Sequence, residues 1–120
     1  MESIILKGDP KSTQNVYRVA CTGRFPRMYM SDIGKSIKED YQLQLKSQWK
    51  KKPLKKELSV TIRLYFKQNR KHDVDNFNKI ILDSLTGIVW EDDSQIMEIL
   101  IQKYLDKDDP RAEIDITETL

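Results

Sequence analysis

Leu58-Ser59-Val60-Thr61-Ile62-Arg63-Leu64-Tyr65-Phe66 leads through residues 67–69 into Arg70-Lys71-His72-Asp73-Val74-Asp75-Asn76-Phe77-Asn78-Lys79. In the first stretch Leu58, Val60, Ile62, Leu64 and Phe66 alternate with polar or amphipathic side chains, the period of a strand with one face in the core. The second stretch sets two carboxylates two residues apart where that period gives way to a helical one. In extended backbone residues i and i+2 project to the same side, so Asp73 and Asp75 could share one hard divalent cation such as Mg²⁺, which takes oxygen ligands. Arg70, Lys71 and Lys79 are the nearby counter-charges, and a metal would neutralise the pair more completely.

Downstream, the spacing predicts a helix from about Asn76 to Thr86, with Phe77, Ile80, Ile81 and Leu85 as its apolar stripe and Gly87 as its stop. Asp75, Lys79 and Asp83 step by four and share another face, which holds a lysine one turn beyond the second carboxylate. Trp90-Glu91-Asp92-Asp93 then adds acid in a loop. A fold that returns this loop to the strand end would complete a carboxylate cage.

Working outward, Ser3–Lys7 reads as a first strand ended by Gly8-Asp9-Pro10. Residues 10–26 read mainly as loop, in which Lys11, Asn15 and Arg18 can donate to phosphate oxygens and Tyr17 can stack on a base. The plain reading of the same loop is a solvated connection whose tyrosine packs on the core. Ser31 is the expected N-cap of a helix over about Asp32 to Trp49, with Asp32 in its first turn and Ile33, Ile37, Tyr41 and Leu45 as its buried stripe beside Leu43. Gly34 in the first turn costs about 1 kcal/mol against alanine, which predicts close packing there or a late start. Lys50–Lys56 then forms a basic run, either a grip on a phosphate backbone or a solvated helix end. Ile96–Tyr104 reads as a second strongly apolar strand, Asp106–Pro110 as a turn, and Ala112, Ile114 and Ile116 as the inner face of a last strand, so the chain is expected to end as a hairpin. The sum is a single α+β domain over residues 1–120, a small mixed sheet of about four to five strands packed with two main helices.

At 38% hydrophobic and 33% charged, the chain has the composition of a soluble globular protein with a densely charged surface. Its charges are unevenly spread: Lys and Arg outnumber Asp and Glu by 18 to 8 over residues 1–79 and are outnumbered by 3 to 11 over 80–120. The asymmetry points to a polyanion-binding surface built mainly from the first part. No apolar run approaches the roughly 18 to 20 residues of a membrane span, no signal-peptide pattern opens the chain, and Cys21 is the single cysteine, so a reducing cytoplasmic location is expected.

Rival chemistries are narrowed by elimination. Counting an EF-hand loop from Asp73 puts Asn78 where its glycine and Ser84 where its glutamate belong. His72 is the only histidine, so no two-histidine zinc site forms within one chain, and the scattered glycines make no phosphate loop, which argues against a nucleotide cofactor. An Asp-x-Asp pair before a helix is also a common cap, and the bland alternative is a non-catalytic DNA-binding module.

Taken together, Asp73-Val74-Asp75-Asn76-Phe77-Asn78-Lys79, then Asp83, then Trp90-Glu91-Asp92-Asp93, resembles the RusA family of phage and prophage Holliday junction resolvases. The likeness extends to Pro10-x-Ser12 with Asn15 and Tyr17, to Ser31-x-x-Gly34 and to the final strands. It implies a homodimeric, Mg²⁺-dependent endodeoxyribonuclease, with Mn²⁺ as a substitute ion, that resolves four-way DNA junctions by paired phosphodiester cleavage. It further implies Asp73, Asp75 and Asp93 as metal ligands, with Asp92 as the alternative third ligand, and Lys79 as the catalytic cation. Lys11, Asn15, Tyr17, Arg18, Arg70, Lys71 and Asn76 are the expected DNA contacts. A nuclease acting on other branched DNA or on RNA is the remaining alternative.

Overall fold

The inner face of β4 (Leu58–Phe66) is apolar at every second position, and in the computed structural model this strand takes an inner place in the main sheet. The structure describes residues 1–13, 17–22, 25–69 and 73–119, with the backbone alone for 18–22, 25–27 and 75. Alternate side chains of β4 are buried as the period predicts, and they meet Ala112, Ile114 and Ile116 of β6 (Arg111–Glu118) and Ile4 and Leu6 of β1 (Glu2–Lys7) in one core. The sheet order is β1-β6-β4-β5, with β5 spanning Ile96–Leu105. β1, β6 and β4 run antiparallel, in registers such as Ile4↔Ile114 and Ile62↔Ile114, and β5 runs parallel to β4.

The parallel pair requires a crossover, and the acidic motif lies on it. After β4, a 3-10 turn (Val74–Asn76) leads into α2 (Asn78–Leu85), whose Ile80, Ile81 and Leu85 are buried. The helix is shorter than expected because its first turn winds as 3-10 and Thr86 is already extended. Gly87, at φ +90°, reverses the chain, a conformation that glycine adopts without strain. Trp90 is fully buried with its Nε1 donating to Thr86 Oγ1 at 2.9 Å, and Leu54 N–H to Val89 O (2.8 Å) and Glu91 N–H to Leu54 O (3.2 Å) anchor the return loop.

α1 (Asp32–Gln48) starts as expected: Ser31 Oγ accepts the Gly34 N–H at 3.1 Å, and Gly34 is buried. Tyr41 and Leu45 are buried and Ile37 packs on the core, but Ile33 and Leu43 are exposed. A step of four residues turns a helix about 400°, so a four-step stripe drifts some 40° each time, and its first member has rotated away from the sheet.

Two expectations are corrected. The segment 10–26 is not mainly loop, since β2 (Tyr17–Thr22) lies in it and pairs antiparallel with β3 (Phe25–Met30) as a separate two-stranded sheet. The β-forming residues Tyr17, Val19, Cys21 and Thr22 ahead of Gly23 were the available signal. The chain also does not end as a hairpin. β4 lies between β5 and β6, and Asp106 N–H donates to Phe66 O at 2.8 Å, so β5 stays on β4 while the turn carries β6 to its other side. β5 is apolar as read, yet most of it is exposed because it is the outermost strand. Among the described residues no helix is long and apolar enough to cross a membrane.

Candidate functional site

Where β4 hands over to the crossover, Phe77 is buried edge-on against Phe66, ring centroids 5.0 Å apart, and this contact seats the turn on the sheet. Asp73 is extended and exposed just before that turn, its carbonyl accepting the Asn76 N–H at 3.0 Å. Asp75 lies within the turn, and its side chain falls outside the described residues. The Asn76 carbonyl accepts the Thr13 N–H, so the segment after Pro10 is tied to the acidic turn, with Lys11 exposed beside it.

One helical turn on, Lys79 Nζ stands 3.3 Å from Asp83 Oδ2, the i,i+4 pair expected from their spacing. Tyr17, brought in by β2, donates its hydroxyl to the same Asp83 oxygen and lays its ring 4.5 Å beneath the Lys79 ammonium. Lys79 is therefore held from two sides while half its side chain stays open to solvent. The Asp83 carboxyl is held above the usual carboxylate range, first by burial and then by the negative charge of Asp93. Asp93 is thus returned by the loop after α2 to within electrostatic reach of the Lys79–Asp83 pair.

The acidic loop sorts its own carboxylates. Asp92 closes a capping box: its carboxylate accepts the Ser94 N–H at 3.4 Å, and its own N–H donates to Gln95 Oε1 at 2.9 Å. Hydrogen bonds from Ser94, and to a lesser degree from Asp93, hold its pKa below the usual range. Glu91 pairs with Lys55 at 3.9 Å. Asp92 and Glu91 are thus engaged locally, and Asp93 is the carboxylate whose charge acts on α2. Among the described residues, no three acidic, histidine or cysteine side chains cluster closely enough to hold a metal ion. Asp83 and Asp93, whose charges act on one another, carry hard oxygen donors of the kind Mg²⁺ takes.

Asn15, Arg70, Lys71 and His72 lie outside the described residues, as does the side chain of Arg18, whose backbone pairs with Tyr29. The basic run after α1 is largely occupied by ion pairs, Lys51 with Glu2, Lys55 with Glu91 and Lys56 with Glu118. Asp83 belongs to the motif read from the sequence but was assigned no role there; the structure pairs it with Lys79 and Tyr17. Its spacing from Lys79 was visible, but Tyr17, far upstream in the chain, had to be placed by the fold.

Over residues 7–117 the chain matches the family described as Endodeoxyribonuclease RusA. It is also 38% identical over 48 residues to a Bacillus subtilis (strain 168) protein described as "Uncharacterized protein YqaN", a match that spans 40% of this chain and 33% of that protein. The family match takes in β4, the acidic turn, α2 and the returning loop together, and the chain is a member of the RusA endodeoxyribonuclease family.

Proposed function

We propose that this protein is a divalent-metal-dependent endodeoxyribonuclease that binds branched DNA as a homodimer and resolves four-way junctions by hydrolysing one phosphodiester per subunit. The observation that carries the reading is Lys79, held by Asp83 and the Tyr17 ring beside the acidic turn, with Asp93 brought back from a separate loop.

Asp73, Asp75 and Asp93 would hold Mg²⁺, and the capping role of Asp92 supports Asp93 as the third ligand. A bound ion of this class supplies Lewis acidity and a water acidified for in-line attack. Lys79 supplies the fixed positive charge for the oxygens that gain negative charge as the bond breaks. Asp83 and Tyr17 set where that charge sits, so little reorganisation is required when a phosphate arrives. Lys11, Asn15, Arg18, Arg70, Lys71 and Asn76 would contact the DNA backbone around the acidic turn. A junction with two-fold symmetry needs two cuts, which a C2 dimer provides.

The test compares a synthetic four-way junction with linear duplex, flap and structured RNA in Mg²⁺ buffer, using wild type and Asp75→Asn. Junction cleavage that is lost in Asp75→Asn while junction binding persists supports the reading. Salt-sensitive binding with no metal-dependent nicking by the wild type overturns it in favour of a binding module, and preferential cleavage of flap or RNA moves the substrate.

A further inference from the structure

We infer that Gln95 is a positioning residue, whose side-chain amide clamps the acidic loop to the backbone of residues 54–56 and so sets where Asp93 stands relative to α2. The inference rests on the proposed reading of Asp93 as a metal ligand and names what holds that ligand in place.

A carboxylate on a loop binds an ion weakly unless its backbone is already fixed, because ordering the loop opposes binding. Here Glu91, Asp92, Asp93 and Ser94 are all exposed, so burial does not fix them. The entry to the loop is held by buried Trp90, by its 2.9 Å bond to Thr86, and by the backbone bonds of Leu54 with Val89 and Glu91. Those anchors stop short of Asp93.

Gln95 anchors the far side. Its Nε2 donates to Leu54 O at 2.9 Å and to Lys56 O at 2.9 Å, while its Oε1 accepts the Asp92 N–H at 2.9 Å. Both amide donors and the amide acceptor are therefore engaged, and every partner is a main-chain atom, which cannot swing away as a side chain can. The chemistry selects glutamine: a glutamate has no donor for the two carbonyls, and an apolar residue of the same length has neither donor nor acceptor. The Lys55–Glu91 pair joins the same two segments at 3.9 Å, but both side chains are mostly exposed, and pairs of that kind add little.

Asp93 sits between the points where the clamp grips. Asp92 before it is bound through its N–H by Gln95 Oε1 and through its carbonyl by the Gln95 N–H at 3.1 Å, and the Ile96 N–H donates to the carbonyl of Asp93 itself. The turn is closed on both sides of the ligand. The Asp92 carboxylate is drawn back onto the Ser94 N–H, whereas the charge of Asp93 reaches Asp83 on α2. The basic run Lys50–Lys56, read from the sequence as a phosphate grip or a solvated helix end, thereby acquires a role that lies in its carbonyls rather than its ammonium groups.

The experiment measures Mn²⁺ affinity from the loss of the free-ion EPR signal, on the full chain without DNA, with urea unfolding followed by circular dichroism on each variant. Gln95→Ala is expected to bind Mn²⁺ about tenfold more weakly than wild type while remaining folded. Gln95→Met, which keeps the length of the side chain and loses its hydrogen bonds, is measured alongside it and is expected to match. In an Asp93→Asn background the Gln95 substitutions are expected to weaken binding no further, since their effect passes through Asp93. A glutamine that merely stabilises the fold would lower the unfolding midpoint and leave the Mn²⁺ affinity of the folded protein unchanged. That result overturns the inference, as does an equal loss in the Asp93→Asn background or a wild type that binds no Mn²⁺. A wild type that binds Mn²⁺ through Asp93 and cuts no junction sinks the nuclease reading and leaves this one standing, whereas one that cuts junctions while its Gln95 variants bind Mn²⁺ unchanged sinks this one alone.

Discussion

Lys79 Nζ and Asp83 Oδ2 lie 3.3 Å apart on one face of α2, and the same carboxylate oxygen accepts the Tyr17 hydroxyl. The pair joins a helix of the crossover to a strand from the other sheet, so the position of the ammonium depends on both.

Asp83→Asn is expected to lower junction cleavage by about a hundredfold, because it frees Lys79 from its fixed position without removing its charge. Lys79→Ala should lose at least as much, and the double variant should be no worse than Lys79→Ala alone, since both substitutions act through one ammonium. Single-turnover cleavage rates for the three variants check this; additive losses would show that Asp83 acts independently.

Acid should unfold the protein through the open face of the sheet. Arg63 contacts Glu113 Oε1 at 3.3 Å and Asp115 Oδ2 at 2.6 Å, and Arg111 contacts Glu113 Oε2 at 2.7 Å. The Arg111 hydrogen bond, then that of Arg63, holds Glu113 below its usual pKa; Asp115, which burial alone would raise, is brought below its own by Ser3 and Arg63. Groups depressed in the folded state stabilise it above their unfolded pKa of about 4, and that stability is lost as pH falls through their folded values. Arg63→Met should lower stability by about 2 kcal/mol near neutrality, and its difference from wild type should shrink in urea titrations run below about pH 4.

Tyr41 should mark the alkaline limit. It is 3% exposed, accepts the Lys11 N–H on its hydroxyl at 3.4 Å, and burial pushes its pKa up to about 12. A raised folded pKa means that the native state keeps its proton after the unfolded state, with a pKa near 10, has lost it. Stability is therefore expected to be intact below about pH 10 and to fall toward pH 12. Tyr41→Phe should be destabilised by about 1 kcal/mol at pH 7 and should show a shallower alkaline decline, followed by circular dichroism against absorbance at 295 nm.

Gln48 bonds both the N–H and the carbonyl of Ile5, and Gln44 those of Lys7, so removing both, as Gln44→Ala with Gln48→Ala, should destabilise the fold by roughly 1–3 kcal/mol and open the β1 edge. Chemical denaturation should report the first effect and concentration-dependent light scattering the second. A variant as stable and as soluble as wild type would show that water replaces the glutamines without loss.

Period and chemistry made much of this molecule legible. β4 was readable residue for residue, because alternation over nine positions has one physical solution, and Ser31 named the start of α1 through its capping chemistry. Pairing was harder. Asp106–Pro110 carries every mark of a hairpin turn, but whether β5 and β6 touch depends on which strand both prefer as a neighbour, and β4 wins by its unbroken apolar face. The site was legible where it is local, as in Lys79 and Asp83, and opaque where it is not. Tyr17 read either as a stacking ring for a base or as a tyrosine packed on the core; it packs on the core, and the hydroxyl that reaches Asp83 was invisible until β2 was placed.

The position of β6 between β1 and β4 also bears on how the chain is made. Among the described residues β1 has no other partner strand in the sheet, and Glu2 pairs with Ile116. β1 must therefore wait until β6, far along the chain, has been made before it can dock. A nascent chain halted before Arg111 would hold two disconnected parts of a sheet, β1 and the β4-β5 pair, so the sheet can close only once β6 has left the ribosome.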